Sequence, residues 1–290
     1  MGQYHAIDRK TVFQKKERLI ALVLLIVASL LLYCFCPIAT ARAYNKTSAI
    51  VVMNARNGEI LYAENGEIKM EIASTTKILT AITVIENDDI FRVVTIPASA
   101  VGIEGSSIYL RAGEKWRIID LLYGLMLRSG NDAAVALAEI SAGSVSKFVE
   151  RMNETAVKVG ATKSRFTNPH GLHDEGHYAS AYDLALITAY ALRSPVFREI
   201  VKTKTHSAYK ETNGVRENVV FYNKNKLLYS YSDAIGVKTG YTRHSGRCLV
   251  SAAERDGVNL IVVTLNVNDT YGVSKAMFER YFPKRESHKG

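Results

Sequence analysis

Two apolar, β-branched runs, residues 246–255 and 258–266, flank the dipeptide Asp256-Gly257. That dipeptide suits the positive φ angles of a two-residue hairpin, so the C-terminal part of the chain is predicted to be an antiparallel strand pair. A matching signal stands near the other end, where 48–54 and 59–63 read as strands joined at Asn57-Gly58. Between the two hairpins the apolar period becomes helical, over 74–85, 118–159 and 180–192, and a closing helix is predicted over 274–282. Strands at both ends with helices between them predict an α+β fold in three layers, α/β/α, around a central antiparallel sheet. The chain has 290 residues, and its 48% hydrophobic content suffices for one catalytic-size domain, placed at 44–290. It shows no internal repeat, low-complexity stretch or linker.

Ahead of that domain, residues 19–35 are almost unbroken apolar sequence, preceded by Arg9, Lys10, Lys15, Lys16 and Arg18. Basic then apolar is the order of an export signal, and Ala41-Arg42-Ala43 offers the small-x-small pattern of a cleavage site. Residues 1–43 are therefore expected to be a signal peptide, or an N-terminal membrane anchor if cleavage does not occur, with the remainder outside the cytoplasm. The formal charge of +9 shrinks accordingly, because six basic and two acidic residues lie in 1–43 and leave +5 for the rest. A modest positive balance carries no nucleic-acid signature. Of the cysteines, Cys34 and Cys36 fall in the export segment, which leaves Cys248 and no disulfide framework.

Three short motifs carry the chemistry. Ser74 and Lys77 are three positions apart on a predicted helix, on the face shared by Ile78, Ala81 and Ile85, so a hydroxyl and an amine point inward together. Alone, the pair also reads as a helix cap beside a snorkelling lysine. Ser129-Gly130-Asn131 stands at a junction of helical stretches and alone reads as a turn capping a helix that starts near Asp132. Lys238-Thr239-Gly240 closes a predicted strand that begins at Ala234, where a glycine lets a substrate backbone approach a sheet edge. Ser-x-x-Lys, a Ser-x-Asn element and Lys-Thr-Gly in that order are the combination found in penicillin-binding proteins and class A β-lactamases.

Beyond the three motifs, Ala73-Ser74-Thr75-Thr76-Lys77, Arg128-Ser129-Gly130-Asn131-Asp132, Asn168-Pro169-His170-Gly171-Leu172 and Lys238-Thr239-Gly240-Tyr241-Thr242 resemble segments of the D-alanyl-D-alanine carboxypeptidases among low-molecular-weight penicillin-binding proteins. The resemblance covers nearly all of 45–283. It implies that Ser74 is the nucleophile, Lys77 its general base and Ser129 part of the proton relay. It also implies that Asn131, Lys238, Thr239, Gly240 and Tyr241 bind substrate, with the N–H groups of Ser74 and Tyr241 cradling the oxyanion. The expected substrate is the peptidoglycan stem peptide and the expected inhibitors are β-lactams; no metal or cofactor is expected. Ile72 stands where such sequences often have Pro. Such enzymes often supply a late Arg to the substrate carboxylate, yet between Asp256 and Glu279 there is Lys275 and no Arg.

A lysine serves as base only when neutral, so Lys77 is predicted to have a lowered pKa, through burial and through Lys238, which stays protonated to attract the terminal carboxylate. His170, His173 and His177 have spacings that gather zinc ligands on a helix, but Pro169, Gly171 and Gly176 argue against that helix and for a loop edging the cleft. A class A β-lactamase also needs a Glu for its deacylating water, and its Glu-x-x-Leu-Asn context is absent. The remaining alternatives are a D,D-endopeptidase that cuts cross-links and a non-catalytic penicillin-recognising sensor.

Overall fold

The computed structural model describes residues 47–284 and, ahead of them, only Leu19, Leu22 and Val23, which are helical. The remainder of the predicted export segment and its cleavage site lie outside the described residues. The strands, in chain order, are β1 (Ala49–Asn54), β2 (Ile60–Glu64), β3 (Val93–Thr95), β4 (Lys115–Arg117), β5 (Thr205–Thr212), β6 (Val215–Tyr222), β7 (Ala234–Thr242), β8 (Gly246–Arg255) and β9 (Val258–Leu265). The helices are α1 (Lys77–Asn87), α2 (Ile118–Tyr123), α3 (Asn131–Ala142), α4 (Val145–Lys158), α5 (Ala181–Ala191), α6 (Pro195–Lys202), α7 (Leu227–Ser230) and α8 (Thr270–Tyr281). Among the described residues no helix is long and apolar enough to cross a membrane.

The central sheet has the order β2-β1-β9-β8-β7, with every pair antiparallel, so N- and C-terminal strands meet in its middle. Alternation along β9 explains why both faces are covered. Ile261, Val263 and Leu265 join the larger core with α1, α3 and α5, whereas Leu260 and Val262 join Leu227, Leu228, Phe278 and Phe282 on the other face. Each such aliphatic side chain contributes roughly 1.5–3 kcal/mol on burial. The result is the expected three-layer α+β arrangement, with α1 buried at the centre of the larger layer.

The Asp256-Gly257 hairpin is as predicted: both residues have positive φ (49° and 77°) and Arg255 faces Val258. The first hairpin differs. Only Gly58 of the Asn57-Gly58 pair has positive φ, and the turn runs over residues 55–58, closed by Gly58 N–H donating to Asn54 O. Asn57 instead uses its side-chain carbonyl to accept from Glu59 N–H at 3.1 Å, an Asx turn that competes with the tighter hairpin.

A second antiparallel sheet, β3-β4-β5-β6, was not anticipated. Its two short strands hold three residues each, and β5 and β6 bury only Ala208 and Phe221, so the apolar alternation that reveals a strand is weak. The turn between them, Asn213-Gly214, has φ of 51° and 79° and is the legible signal that sequence reasoning passed over. Helix α6 was passed over too, although Ser194 caps it through Phe197 N–H and Pro195 opens it. The block 118–159 is three helices, interrupted at Ser129-Gly130 and at Gly143, whose φ of 78° ends α3 before Ser144 caps α4.

Candidate active site

Ser74 lies on a 3-10 turn, Ala73–Thr76, that runs directly into α1. The turn is tied by two hydroxyls: Thr75 Oγ1 donates to Ile72 O at 2.7 Å and Thr76 Oγ1 to Ala73 O at 2.8 Å. Lys77 opens α1 three residues on and is fully buried, on the inward face that its spacing predicted. Its Nζ has three partners: Ser74 Oγ at 3.0 Å, Asn131 Oδ1 at 2.7 Å and His170 O at 2.6 Å. A neutral amine has two N–H groups and one lone pair. With the two hydrogens donated to Asn131 and His170, neither of which can donate in return through those oxygens, the lone pair is left for the Ser74 hydroxyl. Burial first, and the Lys238 charge second, hold the Lys77 ammonium well below the usual lysine range.

Asn131 reaches Lys77 because α3 starts there. Its Nδ2 donates to Glu104 O at 2.5 Å, which fixes the amide so that its oxygen faces the lysine. Gly130 is the N-cap residue and no side chain caps α3, so Ser129-Gly130-Asn131 is not the side-chain cap that the motif alone suggests. Asp132 is buried and gathers the loop opposite, accepting from Ser107 Oγ (2.6 Å), Ile108 N–H (3.1 Å) and Leu110 N–H (3.0 Å). Ser129, at the end of a π-helical turn, takes a left-handed conformation (φ 65°, ψ 33°) that aims it away from the helix path.

Lys238 is 2% exposed on β7, and burial followed by the nearby Lys224 charge pushes its pKa down to about 7. The same burial thus works against the protonated form of Lys238 expected from the sequence. Strand β7 is the sheet's outer strand. A Cβ on Gly240 would sit 3.1 Å from Ile72 O and 3.2 Å from Ser74 N, so a side chain here would press the strand a few tenths of an ångström away from the serine's turn.

The loop at 168–177 closes the opposite side. Gly171 has φ of 85°, and a Cβ there would stand 1.9 Å from Ala73 O. This close approach delivers the His170 carbonyl to Lys77. The predicted absence of a three-histidine helix is borne out, since the segment is a loop whose histidines have separate partners. His177 Nε2 bonds Thr76 Oγ1 at 2.8 Å and its Nδ1 accepts from Thr167 N–H at 3.1 Å. His170 Nδ1 accepts from Leu172 N–H at 3.1 Å. Burial pushes His177 down to about 4 and His170 to about 3, in each case reinforced by the charge of Lys77, so both rings are neutral.

A cleft of about 320 Å³ opens above these groups. Ser74, Ser129, Thr239, Gly240 and Tyr241 line it, while Lys77, Asn131 and Lys238 lie buried beneath, so all eight sequence-predicted residues converge. Four contributors were not foreseen: the His170 carbonyl, the Asp132 clamp, Lys224 and Arg247. Lys224 lies beyond β6 and donates to Ser106 Oγ at 3.4 Å. Arg247 faces Tyr241 across the β7–β8 ladder. The ladder register offered a route to Arg247, since a turn after the Lys-Thr-Gly strand must bring some residue of the next strand opposite Tyr241. Asp132 and His170 stand in segments that carry the resemblance, but nothing in the sequence marks a backbone carbonyl, a loop clamp or Lys224 for these roles.

Comparison with known proteins points to one family. The sequence profile for D-alanyl-D-alanine carboxypeptidases, peptidase family S11, matches residues 38–269. The chain is 33% identical over 235 residues to D-alanyl-D-alanine carboxypeptidase DacF of Bacillus subtilis, covering 79% of this chain and 59% of that one. It is 36% identical over 227 residues to a D-alanyl-D-alanine carboxypeptidase of a Streptomyces species, covering 73% and 78%. The crystal structure of the Streptomyces K15 DD-transpeptidase superposes with a TM-score of 0.74 at 35% identity, over 79% of this chain and 93% of that one. The chain thus spans about three-fifths of the Bacillus relative but most of the Streptomyces ones. On profile, identity and fold together, this chain belongs to the D-alanyl-D-alanine carboxypeptidase family of serine peptidases.

Proposed function

We propose that the chain is a serine D-alanyl-D-alanine carboxypeptidase that removes the terminal D-alanine of peptidoglycan stem pentapeptides, outside the cytoplasm, through an ester on Ser74. The observation that carries this reading is the Lys77 amine, buried, lowered in pKa and directed by two acceptors so that its lone pair meets the Ser74 hydroxyl. The Ser74 proton passes to Lys77 as the oxygen bonds to the penultimate D-alanine carbonyl carbon. The oxyanion is received by the N–H groups of Ser74 and Tyr241, which Gly240 allows to stand on either side of one carbonyl. As the peptide C–N bond breaks, the departing amine takes the proton back through Ser129. Water then enters the vacated side and gives a proton to Lys77 as its oxygen bonds to the ester carbon; Lys77 returns that proton to Ser74 Oγ as the ester C–O bond breaks, which releases the shortened peptide and restores the free serine. Among the described residues, those lining the cleft include no carboxylate, so the β-lactamase route through a Glu-activated water has no support here.

Recognition of the terminal carboxylate falls to Thr239, to Lys238 when protonated, and to Arg247. Arg247 lies opposite Tyr241, lines the same cleft, and its guanidinium matches a carboxylate with two parallel N–H groups. In this reading the carboxylate-binding arginine is on the strand after Lys-Thr-Gly, earlier than the 256–279 stretch, and the register opposite Tyr241 supports it. The substrate backbone adds to the open edge of β7. The basic-then-apolar order of residues 1–43 supports delivery across the cytoplasmic membrane by a cleaved leader or an anchor, ahead of a catalytic domain at 44–290. N-terminal sequencing of the mature protein separates the leader from the anchor.

The direct test is D-alanine release from a pentapeptide ending in D-Ala-D-Ala, compared with a cross-linked dimer. Wild type releases D-alanine from the pentapeptide, and folded Ser74→Ala does not. Penicillin adds one drug mass to wild type only. Preferential cutting of the cross-link would replace the carboxypeptidase by an endopeptidase. For Arg247→Ala, KM for the free acid rises while KM for the terminal amide does not.

A further inference from the structure

Glu71, His173 and His244 come from three separate segments and converge, each only three residues along the chain from Ser74, His170 or Tyr241. His173 Nδ1 lies 3.0 Å from Glu71 Oε1, and His244 Nδ1 lies 3.9 Å from the same oxygen. The two imidazoles stack, with centroids 3.9 Å apart and planes 10° from parallel. Only His173 belonged to the histidine spacing in the sequence, and its partners are not His170 and His177 but residues distant in the chain.

We propose that Glu71, His173 and His244 form a binding site for one zinc-class divalent cation that ties together the three segments surrounding Ser74. One candidate donor atom from each residue lies within 4.8 Å of the others, while ligand atoms around a tetrahedral zinc stand about 3.4 Å apart for bonds near 2.0–2.1 Å. The required movement is under about 1.5 Å. Imidazole lone pairs lie in the ring plane, so two parallel rings cannot both address one ion and one must turn. With side chains 39% and 57% exposed, His173 and His244 have room to do so. Two imidazoles and one carboxylate favour zinc, cobalt or nickel over magnesium or calcium. Three protein ligands leave a fourth position for water.

The placement gives the site its consequence. Glu71 precedes Ser74 by three residues, His173 follows His170 by three, and His244 follows Tyr241 by three. An ion held by all three fixes the serine's turn, the loop that supplies a carbonyl to Lys77, and the end of β7. These are the segments whose mutual spacing sets the acylation geometry, so occupancy rigidifies them without touching the reacting groups.

The experiment uses the full extracytoplasmic chain without a polyhistidine tag, and its readouts do not depend on the hydrolytic reading. Titration with ZnCl2 by calorimetry is expected to give one ion per chain, and CoCl2 the visible d–d bands of a tetrahedral site. Magnesium in excess should not compete. Zinc should raise Tm by several degrees and slow amide exchange in 168–177 and 241–246. Glu71→Gln should weaken binding by more than about tenfold, and His173→Ala/His244→Ala should abolish it along with the Tm rise. These exposed positions leave the metal-free Tm near wild type, which establishes that the double variant is folded. No zinc binding by the wild type, equal binding by the folded double variant, or displacement by magnesium would each overturn the proposal.

Discussion

Lys77 Nζ stands 3.0 Å from Ser74 Oγ, with Asn131 Oδ1 and His170 O at 2.7 and 2.6 Å on its other sides. If this lysine takes the serine proton, an arginine in its place keeps the charge but cannot act as base. Lys77→Arg should therefore lower kcat/KM by at least about a hundredfold. Asn131→Asp is the sharper variant, since a carboxylate beside Nζ favours the ammonium and should move the ascending limb of the pH–rate profile to higher pH. Penicillin acylation rates across pH read both. Normal acylation by Lys77→Arg would remove Lys77 from the mechanism.

Lys238 supplies a second titration with the opposite sign. Its charged form attracts the substrate carboxylate, and burial with the nearby Lys224 charge pushes its pKa down to about 7. The kcat/KM for a D-Ala-D-Ala peptide, which reports the free enzyme, should fall as pH rises through that value, giving a bell with the Lys77 limb. Lys238→Arg, which stays charged, should lose the falling limb. A falling limb unchanged in that variant would assign it to another group.

Gly171 is predicted to be intolerant of any side chain. Its left-handed φ and the 1.9 Å approach of a Cβ to Ala73 O mean that the loop or the serine's turn must move. Gly171→Ala should lose roughly 2–4 kcal/mol, visible as a lower Tm, and should lower kcat by displacing the His170 carbonyl from Lys77. A variant with unchanged Tm and kcat would show that the contact can relax freely.

Acid stability should carry the signature of a buried neutral histidine. Unfolded His177 takes up a proton near pH 6.5, but in the fold not until about pH 4. Between those values the unfolded state holds more protons, so stability is complete above about pH 6.5 and is lost as the pH falls toward 4. The loss is on the order of 3 kcal/mol. His177→Gln, less stable at pH 7 through its altered bond to Thr76, should show a shallower dependence of Tm on pH over that range. Parallel curves for wild type and variant would exclude His177 as the source.

Much of this protein can be read from local pattern. The Asp256-Gly257 turn follows from the φ preferences of two adjacent residues, and the inward face of Ser74 and Lys77 follows from their spacing of three, because both are properties of a few consecutive residues. The long strands β8 and β9 are legible for the same reason, since burial on both faces leaves a continuous apolar signal. The second sheet was legible only at its Asn213-Gly214 turn, because three-residue strands and exposed, mixed-polarity strands carry almost no periodic burial. The third contact of Lys77 was not legible. A backbone carbonyl such as His170 O has no residue type to announce it, and only the approach of Gly171 to Ala73 brings it within 2.6 Å of an amine 93 residues away in sequence. The same holds for Arg247, which has a role in the cleft because antiparallel register sets it opposite Tyr241, and for Glu71, His173 and His244, which meet only in three dimensions. Residue identity determined which chemical groups were present. The packing of strand, turn and loop decided which of them share a proton, a charge or an ion, because those interactions depend on ångström distances between segments far apart in sequence.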